Sequence, residues 1–406
     1  MKIVHINCSD VSGGAAIASR RLCEAMISNG IDSKLLVLRK NRNCEYIREI
    51  GGVFKQVFHK IVERCVFKIE KKIDPIATYS LMCNGRDFSS LKDVKDADII
   101  FIHWVNGGTL SIKGIRNILH LSKPTYLYMH DMFYITGGCH HSFGCYEFEN
   151  YCEKCKITTN NIFWKKLSKK QLTIKVDSWS SFTNLHFIAP SSWLTNLAKM
   201  SRIAHGHPVF QIPNVIDTNI YKPIARTPEI YGLDKEKFTI LFGNASLDSP
   251  YKGIRYIVEC LHQLDPNKFQ CIIIGRDNNN LFKNLPIKTA FTGFLSKDAD
   301  LVQAYNSCDT MVISSIAENY PNVVVEAMAC GKPCIGFNIG GIPDLIINNE
   351  TGLIVGEISS ASLAESIVFM EENPQLYEIM KVNCRQYIQE NNSYSNLKQI
   401  YEAVLQ

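Results

Sequence analysis

The chain has 406 residues, 46% apolar and 20% charged, which is the balance of an ordinary soluble protein and enough length for two domains. Forty-four lysines and arginines face 39 aspartates and glutamates. The resulting net charge of +5 suits an acidic ligand or an anionic membrane surface and is too small to argue for nucleic acid.

The first residues, MKIVHINCSD, do not read as a signal peptide, because His5 and Asn7 interrupt a short apolar run. No stretch approaches the ~20 apolar residues that span a bilayer. The expected location is cytoplasmic. Fifteen cysteines in a reducing compartment should be mostly buried thiols, with clusters favouring metal over disulfides.

Apolar runs at 1–7, 33–39, 98–104, 124–130 and 186–191 read as buried strands, most ending where a loop would begin. Residues 15–30 have helical apolar spacing and end on Gly30, a suitable C′ residue. Strand, glycine loop, helix and strand predict a parallel sheet. The pattern restarts after IPNVID (212–217), with strands expected at 238–244, 269–275, 290–295, 309–315 and 332–338, and a helix at 253–264. Two similar α/β domains are expected, at 1–205 and 206–375. A last helical segment, 376–406, is expected to pack back toward the first. Lysine-rich stretches at 55–73 and 163–175 would make either basic amphipathic helices resting on a membrane or solvated helix faces.

The most specific string is AENYPNVVVEAMACGKPCIGFNIGGIPDLI, 317–346. Pro321 suits a helix start and Gly331 its C′ position. The N–H groups of Asn322 and Val323 would then face an anion, helped by the helix dipole. Glu318 precedes the helix and Glu326 lies within it, and carboxylates accept hydrogen bonds from sugar hydroxyls. His103 and His130 follow apolar strands, at the edge of a parallel sheet where ligands bind.

This string resembles the donor-binding signature of retaining glycosyltransferases of family four, with the E-x7-E pattern at Glu318 and Glu326. GG at 13–14, IPNVID at 212–217, FGN…YKG at 242–253, IIGR at 273–276 and FTG at 291–293 match in order, so the resemblance covers nearly the whole chain. It implies a GT-B fold: two Rossmann-like parallel-sheet domains facing a central cleft. It also implies transfer of a sugar from a nucleoside diphosphate to a hydroxyl of a glycan or lipid-linked oligosaccharide acceptor, in polysaccharide assembly. Peripheral contact with the inner face of the plasma membrane would follow from such an acceptor.

Carried over, Glu326 would hold the ribose, and Glu318 with Asn319 the transferred sugar. Asn322, Val323 and Lys252 would face the diphosphate, with Gly13 and Gly14 approaching it from the first domain. Gly243 and Asn244 belong to the same donor loop. Where many relatives carry an arginine upstream of the lysine, this chain has none: either Arg276 substitutes for it or Lys252 carries the charge alone. His130, oriented by Asp131, would contact the donor sugar. His103 and Asn106 would serve the acceptor. No cofactor is expected for catalysis, since Lys252 and helix N–H groups would meet the leaving charge.

Residues 137–156 carry Cys139, Cys145, Cys152 and Cys155. They resemble a cysteine-rich insertion of a polysaccharide-assembly, colanic-acid-type subgroup. The expectation is a structural four-thiolate zinc site, with His140 and His141 as substitute ligands and buried free thiols as the plain alternative. Two other readings fit the pattern: a nucleotide-sugar epimerase of the same architecture, and a non-catalytic subunit that binds nucleotide or glycan.

Overall fold

A computed structural model describes residues 1–50, 65, 68–69, 79–156, 162–247, 249–277 and 279–405. Apart from three of its residues, the lysine-rich stretch 55–73 lies outside them. The chain divides into two compact units, Met1–Asn214 with Tyr401–Gln406, and Val215–Ile400.

Among the described residues, the first unit carries seven parallel strands: β1 (Lys2–Ser9), β2 (Asp32–Arg39), β3 (Ile47–Glu49), β4 (Ile99–Ile102), β5 (Thr125–Tyr128), β6 (Leu185–Ala189) and β7 (Val209–Gln211). Their order is β3-β2-β1-β4-β5-β6-β7. Strands such as IIFI and TYLY are buried along their whole length, as a sheet covered on both faces requires. The turn after β1 is made at Gly13, whose φ is +90° and whose carbonyl accepts from the N–H groups of Ala16 and Ile17. Gly30, with φ +78°, follows the end of the helix Gly14–Ser28 as a C′ residue.

The second unit carries β8 (Phe238–Ser246), β9 (Phe269–Arg276), β10 (Lys288–Gly293), β11 (Thr310–Ile313), β12 (Cys334–Phe337) and β13 (Gly352–Val355), in the order β10-β9-β8-β11-β12-β13 and all parallel. Alternate residues feed two cores. Leu241, Ile272, Met311 and Ile313 face one, and Ile240, Phe242, Cys271, Ile273 and Val312 the other. The helix Pro374–Asn391 adds Cys384 and Ile388 to the first of these cores. Tyr401 instead belongs to the first unit, edge-on to Phe101 and hydrogen-bonded to the Tyr128 hydroxyl at 3.3 Å.

Each sheet reverses its strand order at one place, between β1 and β4 and between β8 and β11. Ligands of open parallel sheets bind outside the carboxyl ends of the strands at such a switch. In the first unit those ends carry Gly13-Gly14 and His103–Asn106. In the second they carry Lys252 and Glu318. No described helix is long and apolar enough to cross a membrane.

Candidate functional site

Pro250–Lys252 form a single tight turn after β8. Gly253 has φ +66°, and a Cβ there would stand 1.7 Å from the Ser314 carbonyl oxygen, so only glycine lets this turn press on the end of β11. The Ser314 hydroxyl donates to the Lys252 carbonyl at 3.0 Å, and the Ile316 N–H donates to the Tyr251 carbonyl at 2.9 Å. Lys252 is thereby fixed beside the loop after β11, and its Nζ donates to Glu318 Oε2 at 2.5 Å. Burial opposes the lysine's charge. The Glu318 carboxylate outweighs it and holds the Lys252 pKa above the ordinary value. Glu318 is itself held from behind: the Gly341 N–H donates to its carbonyl at 3.3 Å, and a Cβ on Gly340 would meet that oxygen at 1.9 Å.

The adjoining helix runs Asn322–Ala329, with Pro321 at its N-cap and Gly331 beyond its end at φ +70°. The Pro321 carbonyl accepts from Val324 and Val325, and Pro321 has no side-chain group to cap the opening. The positive end of the helix therefore lies at Asn322 and Val323. Asn319, just upstream, is buried. Glu326 is 3% exposed and accepts a hydrogen bond from the Tyr305 hydroxyl at 2.7 Å. Gly243 pairs with Ile274, and the bare backbone of Gly275 lets the Asn244 carbonyl pass where a Cβ would meet it at 2.1 Å. Arg276 ends β9 exposed, its guanidinium 5.2 Å from the centre of the Phe294 ring.

In the first unit, three imidazoles join end to end across adjacent strands. His103 Nδ1 lies 3.0 Å from His130 Nε2, and His103 Nε2 lies 2.9 Å from His5 Nδ1. Burial drives the His5 pKa down to about 3 and that of His130 to about 4, and lowers His103 as well. All three are neutral at pH 7. His103 is 1% exposed with both ring nitrogens committed to neighbours, so the polar group of its loop with unmet hydrogen bonding is Asn106. That side chain is 4% exposed, and neither its Oδ1 nor its Nδ2 has a partner among the described residues. Gly107 and Gly108, both with positive φ, turn the chain immediately after it.

Asp131 follows His130 directly, and its charge favours the protonated His130 ring against the effect of burial. One of its oxygens accepts from the Phe133 N–H at 2.8 Å, and the other meets His140 Nδ1 at 2.6 Å. Burial pushes the Asp131 pKa up, but His140 and the Phe133 amide prevail and hold it below the carboxylate range.

The expected four-thiolate zinc site is not assembled. Among the described residues no group of three His, Cys, Asp or Glu side chains is arranged to hold a metal. Cys139, Cys145, Cys152 and Cys155 are free and buried. Burial, helped by the neighbouring cysteines, raises the Cys152 thiol to about 12 and carries Cys139 higher still. Cys139 sits with Tyr79 against Leu81, Trp164 and Leu167, and Cys152 joins the main core. His140 is spent on Asp131 and on the Ser80 hydroxyl, 2.9 Å from its Nε2. The helix Ile162–Trp179, which contains the second lysine-rich stretch, turns Ser168, Gln171, Leu172, Lys175 and Trp179 inward. Lys175 donates to the carbonyls of Phe133 and Thr136, so this lysine braces the loop after β5 rather than facing a membrane.

His5 and Tyr305 were not singled out from the sequence. The clue for His5 was a titratable ring in the middle of a buried parallel strand, which needs a partner. Tyr305 gave no such clue.

Each unit is an open parallel sheet of the kind found in GT-B glycosyltransferases, and residues 224–387 match the family model "Glycosyl transferases group 1". Among curated proteins, the chain is 25% identical over 200 residues to N-acetyl-alpha-D-glucosaminyl L-malate synthase of Bacillus anthracis, covering 47% of this chain and 51% of that protein. It is 26% identical over 145 residues to N,N'-diacetylbacillosaminyl-diphospho-undecaprenol alpha-1,3-N-acetylgalactosaminyltransferase of Campylobacter jejuni, covering 36% and 38%. These matches span about half or less of the relatives' length. The Anabaena protein Alr3699/HepE, solved in complex with UDP-glucose, has the same fold, with a TM-score of 0.65 and 17% identity over 100% of this chain and 99% of that one.

Proposed function

We propose that this protein is a retaining glycosyltransferase that moves a sugar from a nucleoside diphosphate to a hydroxyl of a lipid-linked glycan. The observation that carries this reading is the Lys252–Glu318 pair, 2.5 Å apart at the switch point of the second sheet and just before the start of the helix Asn322–Ala329. Breaking the bond between sugar and diphosphate leaves negative charge on the phosphate oxygens. Lys252 and the N–H groups of Asn322 and Val323 meet that charge where it develops, with Arg276 in reserve at the end of β9. Glu318, with Asn319 beside it, takes the hydroxyls of the transferred sugar, and Glu326 those of the ribose. Gly243 and Asn244 border the same donor loop. In the first unit, Gly13, Gly14 and His130 are the groups offered to the donor, and Asn106 to the acceptor. The lipid-linked acceptor is supported by the printed activity of the Campylobacter relative.

The test is a thermal-shift panel of nucleotide sugars on the full chain. A true donor at about 100 times its Kd should stabilise the fold by about 2.7 kcal/mol. Lys252→Ala should abolish that shift, read against the variant's own unliganded Tm, which should itself fall because Glu318 is left unpaired. No response to any nucleotide or nucleotide sugar would overturn the proposal.

A further inference from the structure

Glu326 stands in the helix Asn322–Ala329, at position i+4 from Asn322. That is one turn on, about 6 Å along the axis and on the same face of the helix. An anion held at the helix start therefore has a carboxylate one turn away on its own side. A nucleoside diphosphate has the matching layout, with phosphate oxygens at one end and two neighbouring ribose hydroxyls a few bonds further on. The Glu326 carboxylate is buried, so its orientation is decided by what packs around it. One of those groups is Tyr305, itself buried, on the helix Asp298–Ser307. Its hydroxyl donates to Glu326 Oε2 at 2.7 Å. Burial and the Glu326 charge hold the Tyr305 pKa well above the ordinary value, so the phenol keeps its proton and the carboxylate is the acceptor. The Tyr305 ring lies in the same core as Val324, Val325 and Cys330, which holds the hydroxyl in place. A carboxylate oxygen can accept from more than one donor, so a tyrosine can fix the plane of the group and leave it an acceptor for a ligand.

We propose that Tyr305 is a positioning residue that aims the Glu326 carboxylate at the ribose hydroxyls, and so makes the site select ribonucleotides over 2′-deoxyribonucleotides. The proposal rests on the reading of Glu326 as the ribose acceptor. The selection comes from the carboxylate: a nucleotide that lacks the 2′-hydroxyl leaves a buried acceptor without its donor. Tyr305 touches no ligand in this scheme and acts through Glu326.

The test is isothermal titration of the full chain with UDP, GDP, ADP and CDP, each beside its 2′-deoxy counterpart. At least one ribonucleotide should bind, and about tenfold or more tightly than its 2′-deoxy counterpart. Tyr305→Phe keeps the ring and removes only the hydroxyl. In this variant the ratio should fall to about threefold or less, through weaker binding of the ribonucleotide, with the 2′-deoxy counterpart within about twofold of its wild-type Kd. A purely structural role would weaken both nucleotides alike and leave the ratio as it was, which would overturn the proposal. A wild-type ratio near one would overturn it without any variant. Nucleotide binding with an unchanged ratio in Tyr305→Phe sinks this inference alone, whereas no binding of any nucleotide sinks the donor-site reading together with it.

Discussion

Asn106 presents a buried amide with both its oxygen and its nitrogen unpaired among the described residues. Such a group costs folding free energy of about 1–3 kcal/mol unless something outside the chain meets it. Asn106→Leu should therefore leave stability in urea unchanged or raise it by about 1 kcal/mol, while raising the KM for acceptor by about tenfold. A loss of more than about 2 kcal/mol would mean the amide is already satisfied in the free protein. The buried histidines make a second prediction. Unfolded histidine titrates near 6.5, whereas His5 and His130 titrate at about 3 and about 4 in the folded chain, and His103 also below 6.5. Between these values the unfolded state binds protons that the folded state refuses, so stability falls as pH falls. Each histidine contributes a slope of about 1.4 kcal/mol per pH unit once well below 6.5. Denaturation midpoints measured from pH 7 to 4.5 should drop steeply, and a flat profile would contradict the burial of these rings. Lys175, lowered by burial to about 7, gives the same direction on the alkaline side, with stability rising as pH rises from 7 toward 10.5.

The turn Pro250–Lys252 is the element on which the second unit's site depends. Gly253→Ala would combine a left-handed backbone with a Cβ 1.7 Å from a carbonyl oxygen. It should cost at least about 2 kcal/mol in denaturant unfolding and weaken nucleotide-sugar binding, since Lys252 would be displaced from Glu318. Elements of this kind were partly legible in the sequence. Long apolar runs announced β1, β2, β8 and β9, and both switch-point loops followed from knowing where strands ended. β3, β7 and β13, of three or four residues each, left no run to read. The Lys252–Glu318 pair was legible as two residues but not as an ion pair, because 66 residues of chain separate them. The same distance problem hid the link between His5 and His103, which exists only because β1 and β4 are neighbours. In the cysteine-rich loop the spacing was visible, but the direction of each sulfur was not. The local backbone, with Cys152 at φ +53° and a short turn at Glu147–Glu149, was not legible either.

At the scale of the whole molecule, each unit repeats one physical device: a parallel sheet buried on both faces, with polar residues in the loops at the reversal of strand order. The two units carry different chemistry there. One offers neutral imidazoles and an unpaired amide, the other a lysine, a carboxylate and a helix start. That division suits a reaction in which one partner is charged and the other is a neutral hydroxyl. The most direct measurement is sugar transfer from a nucleotide sugar to a lipid-linked glycan by purified full-length protein, with the anomeric configuration of the product determined by NMR. The account predicts a product that keeps the donor's anomeric configuration, and a fall in kcat of at least about 100-fold in both Glu318→Gln and Lys252→Ala. Wild-type turnover in either variant, or an inverted product, would contradict it.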